Sequence, residues 1–261
     1  MKYKLPFLIF LFVSLFSCSS EVEPPAEEEE EEEMGNNDEL LWSDEFDGNG
    51  PINLNFWNYE LGGGGWGNQE VQIYTDESKN IFKEDGVLKI KVIKEANNTF
   101  TSARITTQNK IDFKYGRVDI RAKLPMTAGT WPALWMLGEN FSTVGWPNCG
   151  EIDIMEQFAD KSSVDATCHW DNGGNVATYG LSTDLPNPGE FHVYSLVWEK
   201  GSIKVLLDDV QFYVITTNDS MPFDEEFFFI FNVAMGGTNG GTIASDFTTD
   251  VMEVDYVRVY K

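Results

Sequence analysis

Apolar and polar residues alternate with a period of two along most of the chain beyond residue 38. The clearest runs are Val87 to Ile93 (VLKIKVI), Gly116 to Leu124 (GRVDIRAKL), Phe191 to Trp198, Ile203 to Leu207, Val210 to Ile215 and Met252 to Tyr260. Side chains on a strand point alternately to its two faces, so each run predicts a strand with one buried and one wet face. In GRVDIRAKL, Val118, Ile120, Ala122 and Leu124 take one face and Arg117, Asp119, Arg121 and Lys123 the other. Phe227 to Ala234 opens with FFFIF, is apolar on both faces and predicts a central strand. Turn signals separate the runs: Asp47-Gly48, Asn49-Gly50, Asp85-Gly86, Asn172-Gly173 and Asn239-Gly240. No stretch of ten or more residues carries a clean helical period. A dozen or more strands without an internal repeat predict an all-β fold, a β-sandwich jelly roll of two curved antiparallel sheets.

One strand breaks the pattern. Gly150 to Phe158 reads GEIDIMEQF and sets Glu151, Asp153 and Glu156 among Ile152, Ile154, Met155 and Phe158. Acids on an inner face are costly unless paired, and no Lys or Arg occurs between Lys123 and Lys161. Alternation places Glu151 and Asp153 on one face and Glu156 on the other. One extra residue in a β-bulge, most simply Met155, reverses the parity and gathers all three carboxylates into one patch. The competing reading is a solvated polar face on an edge strand.

Composition divides the chain. Lys2 and Lys4 precede an apolar run from Leu5 to Phe16 that ends at Ser17-Cys18. It is too short for an ordinary membrane span and has the form of an export signal over residues 1–17. It resembles a bacterial lipoprotein signal, which implies Cys18 as the lipidated residue. Residues 18–37 contain seven consecutive glutamates, Glu27 to Glu33, which repel one another and predict a solvated, lipid-anchored acidic linker. Residues 38–261 suffice for one well-cored domain. That part holds 16 basic and 34 acidic residues, a surface that excludes nucleic acid as a partner. Cys149 and Cys168 leave a disulfide and two free thiols equally open, and His169 and His192 lack the clustered cysteines of a structural zinc site.

Aromatic residues make up 14% of the chain, and several tryptophans fall outside regular strand cores: Trp66, Trp131, Trp135, Trp146 and Trp170. Flat rings stack on the C–H faces of sugars, while carboxylates and amides bond the hydroxyls, so these residues beside the acid cluster predict a carbohydrate cleft. Glycosidic hydrolysis needs one carboxylic acid to protonate the leaving oxygen and one carboxylate to attack or to activate water. A bulged strand brings Glu151 and Glu156 to the separation of about 5–5.5 Å used by retaining enzymes. Crowded negative charge favours keeping one proton, which Asp153 would help to share.

Seven segments in order resemble glycoside hydrolase family 16, in its laminarinase-like branch. They are WSDEFDG (42–48), WGNQEVQIYT (66–75), SARITTQNKIDFKYGRVDIRAKLP (102–125), TWPALWMLGEN (130–140), GWPNCGEIDIME (145–156), FNVAMGG (231–237) and MEVDYVRVY (252–260). The resemblance covers nearly all of Leu41 to Tyr260. It implies a jelly roll with the substrate cleft on its concave face, and an endo-acting retaining glycosidase without a redox cofactor. The nucleophile would be Glu151, the assisting aspartate Asp153 and the acid/base Glu156. Sugar contacts would fall on Asn68, Arg104, Trp135, Trp146 and His169. A structural calcium ion would take Glu45, the carbonyl of Gly86 and Asp255.

After Gly236-Gly237 this chain has Thr238-Asn239-Gly240-Gly241 where many laminarinase-like members carry Asn-Trp, so mixed-linkage β-1,3/1,4-glucan competes with β-1,3-glucan as substrate. The other readings are a non-catalytic lectin-like surface protein and a family 16 hydrolase of a galactan such as agarose. The expected setting is an exported bacterial lipoprotein, monomeric, held on the outer membrane and exposed at the cell surface.

Overall fold

The computed structural model describes residues 39–261. The expected signal segment, Cys18 and the acidic linker lie outside the described residues. Strands follow in chain order as β1 (Leu40–Asp44), β2 (Asn58–Glu60), β3 (Gln72–Tyr74), β4 (Ile81–Glu84), β5 (Val87–Lys94), β6 (Phe100–Ser102), β7 (Arg104–Thr106), β8 (Asp112–Phe113) and β9 (Gly116–Lys123). Then come β10 (Thr130–Gly138), the single-turn helix α1 (Phe141–Val144), β11 (Glu151–Glu156), β12 (Ser163–Asp171), β13 (Val176–Asp184), β14 (Phe191–Glu199), β15 (Ser202–Leu207), β16 (Val210–Thr216), β17 (Phe227–Met235), the turn α2 (Gly237–Gly240) and β18 (Thr249–Tyr260). Each of the alternating runs read from the sequence lies in one of these strands, except that Leu124 falls one residue past the end of β9.

Two sheets form the jelly-roll sandwich. The first is ordered β16-β15-β14-β9-β18-β5-β6-β3, with β1 on β18 and β4 on β5; the second is ordered β13-β12-β11-β10-β17-β7-β2, with β8 on β17. Every strand pairing is antiparallel except β3 with β6. The Asp85-Gly86 turn joins β4 to β5 with both residues at positive φ, the backbone of a tight hairpin. Asn239-Gly240 departs from expectation, because it sits in the helical turn α2 rather than in a hairpin.

The second sheet shows why the fold places a site on its outer face. In β17 every residue is buried, but the two faces differ in company. Phe227, Phe229, Phe231, Val233 and Met235 enter the core between the sheets, while Phe228 and Ile230 join a small cluster with Leu137 and Cys149 on the other side. Strand β10 repeats the division, with Leu134 and Met136 inward. The core is strongly aromatic: Trp57 lies 5.1 Å from Phe231 and Trp198 5.3 Å from Phe227, ring centre to ring centre. Such pairs add about 0.5–1.5 kcal/mol each beyond the area they bury. Cys149 and Cys168 are both buried free thiols.

Candidate active site

Strand β11 is paired with β12 on one side and β10 on the other, and its ladder slips once. Against β12, Asp153 faces Thr167 and Glu156 faces Asp165, two residues set against one. Against β10, Asp153 faces Trp135 and Met155 faces Leu134, which leaves Ile154 without an opposite residue. The bulge therefore lies where parity required it, with Ile154 rather than Met155 as the residue lacking a β10 partner. Ile152, Ile154 and Met155 all enter the core. Two consecutive apolar side chains thus turn inward, and Glu151, Asp153 and Glu156 line one cleft of about 550 Å³ on the outer face.

The neighbouring strands supply the rest by alternation. Strand β10 presents Trp131 and Trp135, β12 presents His169, β17 presents Asn232 and β7 presents Arg104. Trp170, adjacent to His169, faces the opposite way. It packs on the core with its ring 6.0 Å from that of Phe223, and it is not a cleft aromatic. Trp66 and Asn68 come from the glycine-rich segment after β2, and Trp146 from the segment after α1, where it is half-exposed. Gly237 ties the first of these segments down: its φ is +69°, and a Cβ there would meet the Asn68 carbonyl oxygen at 2.7 Å. Glycine alone suits that position.

All five residues expected to meet sugar, Asn68, Arg104, Trp135, Trp146 and His169, line this cleft with the three acids. Arg104 lies between two rings, its guanidinium carbon 4.7 Å from the centre of Trp66 and 4.8 Å from that of Trp135. Its Nε donates to Glu60 of β2. The Trp135 indole N–H donates to Asn232 Oδ1 at 2.8 Å. Asn232 Nδ2 donates to the Tyr74 hydroxyl at 3.1 Å, and that hydroxyl donates to Glu70 Oε2 at 3.2 Å. Asn68 donates to the other Glu70 oxygen at 3.3 Å. One hydrogen-bonded chain thus connects a cleft tryptophan to Asn68 through a buried acid.

Glu70, Asn232, Glu60 and the hydrogen bond of Trp131 are the parts that sequence reasoning missed. A signal existed for Glu70. In β3 and the residue pair before it, Glu70, Gln72 and Tyr74 alternate with Val71 and Ile73, and the polar set is the buried one. The apolar partners are exposed, the reverse of an ordinary half-buried strand.

Burial raises the proton affinity of all three central acids. Asp153 is held well above the usual carboxylate range, chiefly by burial and then by the charge of Glu151. Glu156 is also held well above it, by burial and by the charge of Asp153, while the Trp131 indole N–H, 2.9 Å from its Oε1, pulls the other way. Glu151 is raised by burial too, but His169, Trp146 and Arg104 offset part of that rise. His169 Nε2 lies 3.5 Å from Asp153 Oδ2 and 3.9 Å from Glu151 Oε1. The set holds an acid that keeps its proton beside one that its neighbours help to ionise, the pairing needed for acid–base and nucleophilic work on one bond.

The residues expected to hold calcium are not presented as a free acidic group. Both Glu45 oxygens accept from Arg258, at 3.0 and 2.8 Å, and Asp255 Oδ2 accepts from Arg121 at 2.6 Å. Each acid is neutralised by its own arginine, so the pair fits a dication poorly.

A family model described as "Glycosyl hydrolases family 16" matches residues 67–258. The chain is 38% identical over 258 residues to the glucan endo-1,3-beta-glucosidase A1 of Niallia circulans, a match that covers 85% of this chain and spans 38% of that protein's length. It is 38% identical over 251 residues to the beta-glucanase of Rhodothermus marinus, covering 85% of each. The crystal structure of a LamA variant from Z. galactanivorans, in complex with laminaritriose and laminaritetraose, matches with a TM-score of 0.79 at 41% identity, covering 85% of this chain and 99% of that one.

Proposed function

The chain belongs to family 16 of the glycosyl hydrolases, and from that premise we propose that it is an endo-acting β-glucanase. It cuts internal bonds of β-1,3-glucan or of mixed-linkage β-1,3/1,4-glucan and retains configuration at the anomeric carbon. The observation that carries this reading is the slip in β11, which sets Glu151, Asp153 and Glu156 on one wall of a tryptophan-lined cleft.

The roles follow from the environments. Glu156, buried and facing the charge of Asp153, holds its proton more tightly than a free carboxyl and gives it to the leaving glycosidic oxygen. Glu151, whose charge is favoured by His169, Trp146 and Arg104, attacks the anomeric carbon. The glycosyl-enzyme so formed is hydrolysed by a water that Glu156, now ionised, deprotonates. Asp153, which burial keeps protonated more readily than a free carboxyl, donates a hydrogen bond to Glu151 and so favours the ionised nucleophile. Trp131 holds the Glu156 carboxyl in place through its indole N–H. The Trp66–Arg104–Trp135 stack gives one end of the cleft a rigid, flat wall against which a glucose ring can lie.

This chemistry uses no cofactor. A calcium ion at Glu45, the Gly86 carbonyl and Asp255 would have to displace Arg258 and Arg121 first. Lys2, Lys4, the apolar run and Cys18 support export with a lipid at Cys18, and Glu27 to Glu33 support a linker that holds the domain off the outer surface. Cys18→Ser should move the protein from the membrane fraction to the soluble one; continued membrane retention would sink that reading.

The deciding experiment is reducing-end release and product analysis on laminarin and lichenan. The wild type should yield oligosaccharides, and Glu151→Ser should bind glucan without cleaving it. Absence of turnover on both polymers would overturn the function, and unchanged turnover in Glu151→Ser would overturn the role.

A further inference from the structure

We propose that Glu151, Asp153 and His169 form a binding site for a divalent transition-metal ion, zinc being the simplest case, and that occupancy of this site closes the cleft to glucan. One ligand atom from each of the three residues can be chosen so that all lie within 4.8 Å of one another. Two ligands on a tetrahedral zinc, each at about 2.0–2.1 Å, stand about 3.4 Å apart. The His169 Nε2 distances of 3.5 Å to Asp153 Oδ2 and 3.9 Å to Glu151 Oε1 need to shorten by only a few tenths of an ångström.

Two features beyond the acids point to a ligand. Asp153 Oδ2 is buried without a hydrogen-bond partner, on a side chain only 4% exposed, and it faces this cluster. An acceptor in that state is costly, and a cation would satisfy it. His169 Nδ1 lies 2.8 Å from Thr178 Oγ1. With the Nδ1–H donated to that hydroxyl, the ring turns the Nε2 lone pair toward the carboxylates, the outer contact that orients metal-binding histidines. Once Asp153 gives up its proton to the incoming ion, two carboxylates and an imidazole nitrogen match the charge of a dication, and the remaining coordination position opens into the cleft. An imidazole nitrogen in the set favours zinc, copper or nickel over calcium and magnesium. A metal held there would occupy the two groups that cleavage needs free, so the inhibitory consequence rests on the β-glucanase reading, whereas the binding itself does not.

The test is calorimetric titration of the full chain with zinc chloride, alongside laminarin hydrolysis at several zinc concentrations. One zinc per chain should bind with an affinity that falls at least tenfold in His169→Asn. Thr178→Val, which leaves every ligand in place, should weaken zinc binding about 10–100-fold. Inhibition should be competitive with laminarin, and calcium or magnesium at equal concentration should not reproduce it. Zinc affinity within twofold of wild type in both variants, or inhibition that excess laminarin does not relieve, would overturn the proposal. If hydrolysis proves absent altogether, the calorimetry still decides the site; if hydrolysis is normal and zinc does not bind, this inference alone fails.

Discussion

Replacing Glu156 by glutamine should make the protein more stable while removing its activity. Glu156 is 9% exposed, and its Oε1 accepts from the Trp131 indole N–H at 2.9 Å, a contact the isosteric amide retains. What the substitution removes is a group whose ionised form the fold disfavours, beside Asp153 in a desolvated wall. Because the fold raises this carboxyl, the folded state binds its proton more tightly than the unfolded chain does. Stability is therefore lost as pH rises from the unfolded value, about 4.3, through the folded one, and the loss is fully present above both. Each tenfold weakening of the acid by the fold costs about 1.4 kcal/mol at neutral pH, so Glu156→Gln should return about 1–2 kcal/mol. For a domain of this size that is a rise of about 2–8 °C in Tm at pH 7.5. At pH 3.5, where the wild-type carboxyl is protonated in both states, the gain should vanish. Scanning calorimetry at the two pH values measures this directly. A Tm at pH 7.5 equal to or below wild type, or an equal gain at pH 3.5, would refute the assignment of a raised, uncompensated acid to this position.

Three further outcomes are expected. Trp131→Phe removes a hydrogen bond to a charged group, worth about 1.5–3 kcal/mol, so kcat/KM should fall about 10–100-fold. Because the indole favours the ionised carboxylate, its loss raises Glu156 further, and the alkaline limb of the pH–rate profile should move to higher pH. Arg104→Met dissolves both cation–π contacts and frees Trp66; KM for laminarin should rise about tenfold with kcat changed far less, as steady-state kinetics would show. Treatment with a calcium chelator should leave Tm within about 1 °C, since Arg258 and Arg121 already neutralise Glu45 and Asp255, and a fall of several degrees would show that an ion displaces them.

The strands were legible because half-buried sheets write their faces into the sequence as a period of two. Parity alone demanded an extra residue between Asp153 and Glu156. It could not choose between Ile154 and Met155, because both are apolar and both turn into the core; only the β10 ladder distinguishes them. The same alternation carried the cleft: Trp131, Ala133 and Trp135 share a face, as do Thr167 and His169. Trp170 breaks with its neighbours for that reason, being one residue out of phase with His169. What remained hidden depends on distant pairing. Glu60 meets Arg104 only because β2 lies against β7, and Glu70 joins Asn232 across a separation of more than 150 residues through Tyr74. No local pattern records such meetings. The arginine partners of the expected calcium residues were hidden for a related reason, since Arg258 lies opposite Ser43 in the β1–β18 ladder and from there reaches Glu45.

Main-chain pairing on both flanks of β11 dictates where Ile154 and Met155 turn inward, so the spacing of the reacting carboxylates is inherited from the sheet. The walls of the cleft have another origin, in the segments that carry Trp66, Trp146 and Asn239 between strands. These two inheritances can vary separately. A wall segment lengthened, trimmed or exchanged leaves the pairing of β11, and with it the placing of the carboxylates, untouched. Deleting a single residue at 154 or 155 does the opposite: Glu156 rotates into the aromatic interior, and a hydrolase with every wall intact becomes a protein that can only hold sugar.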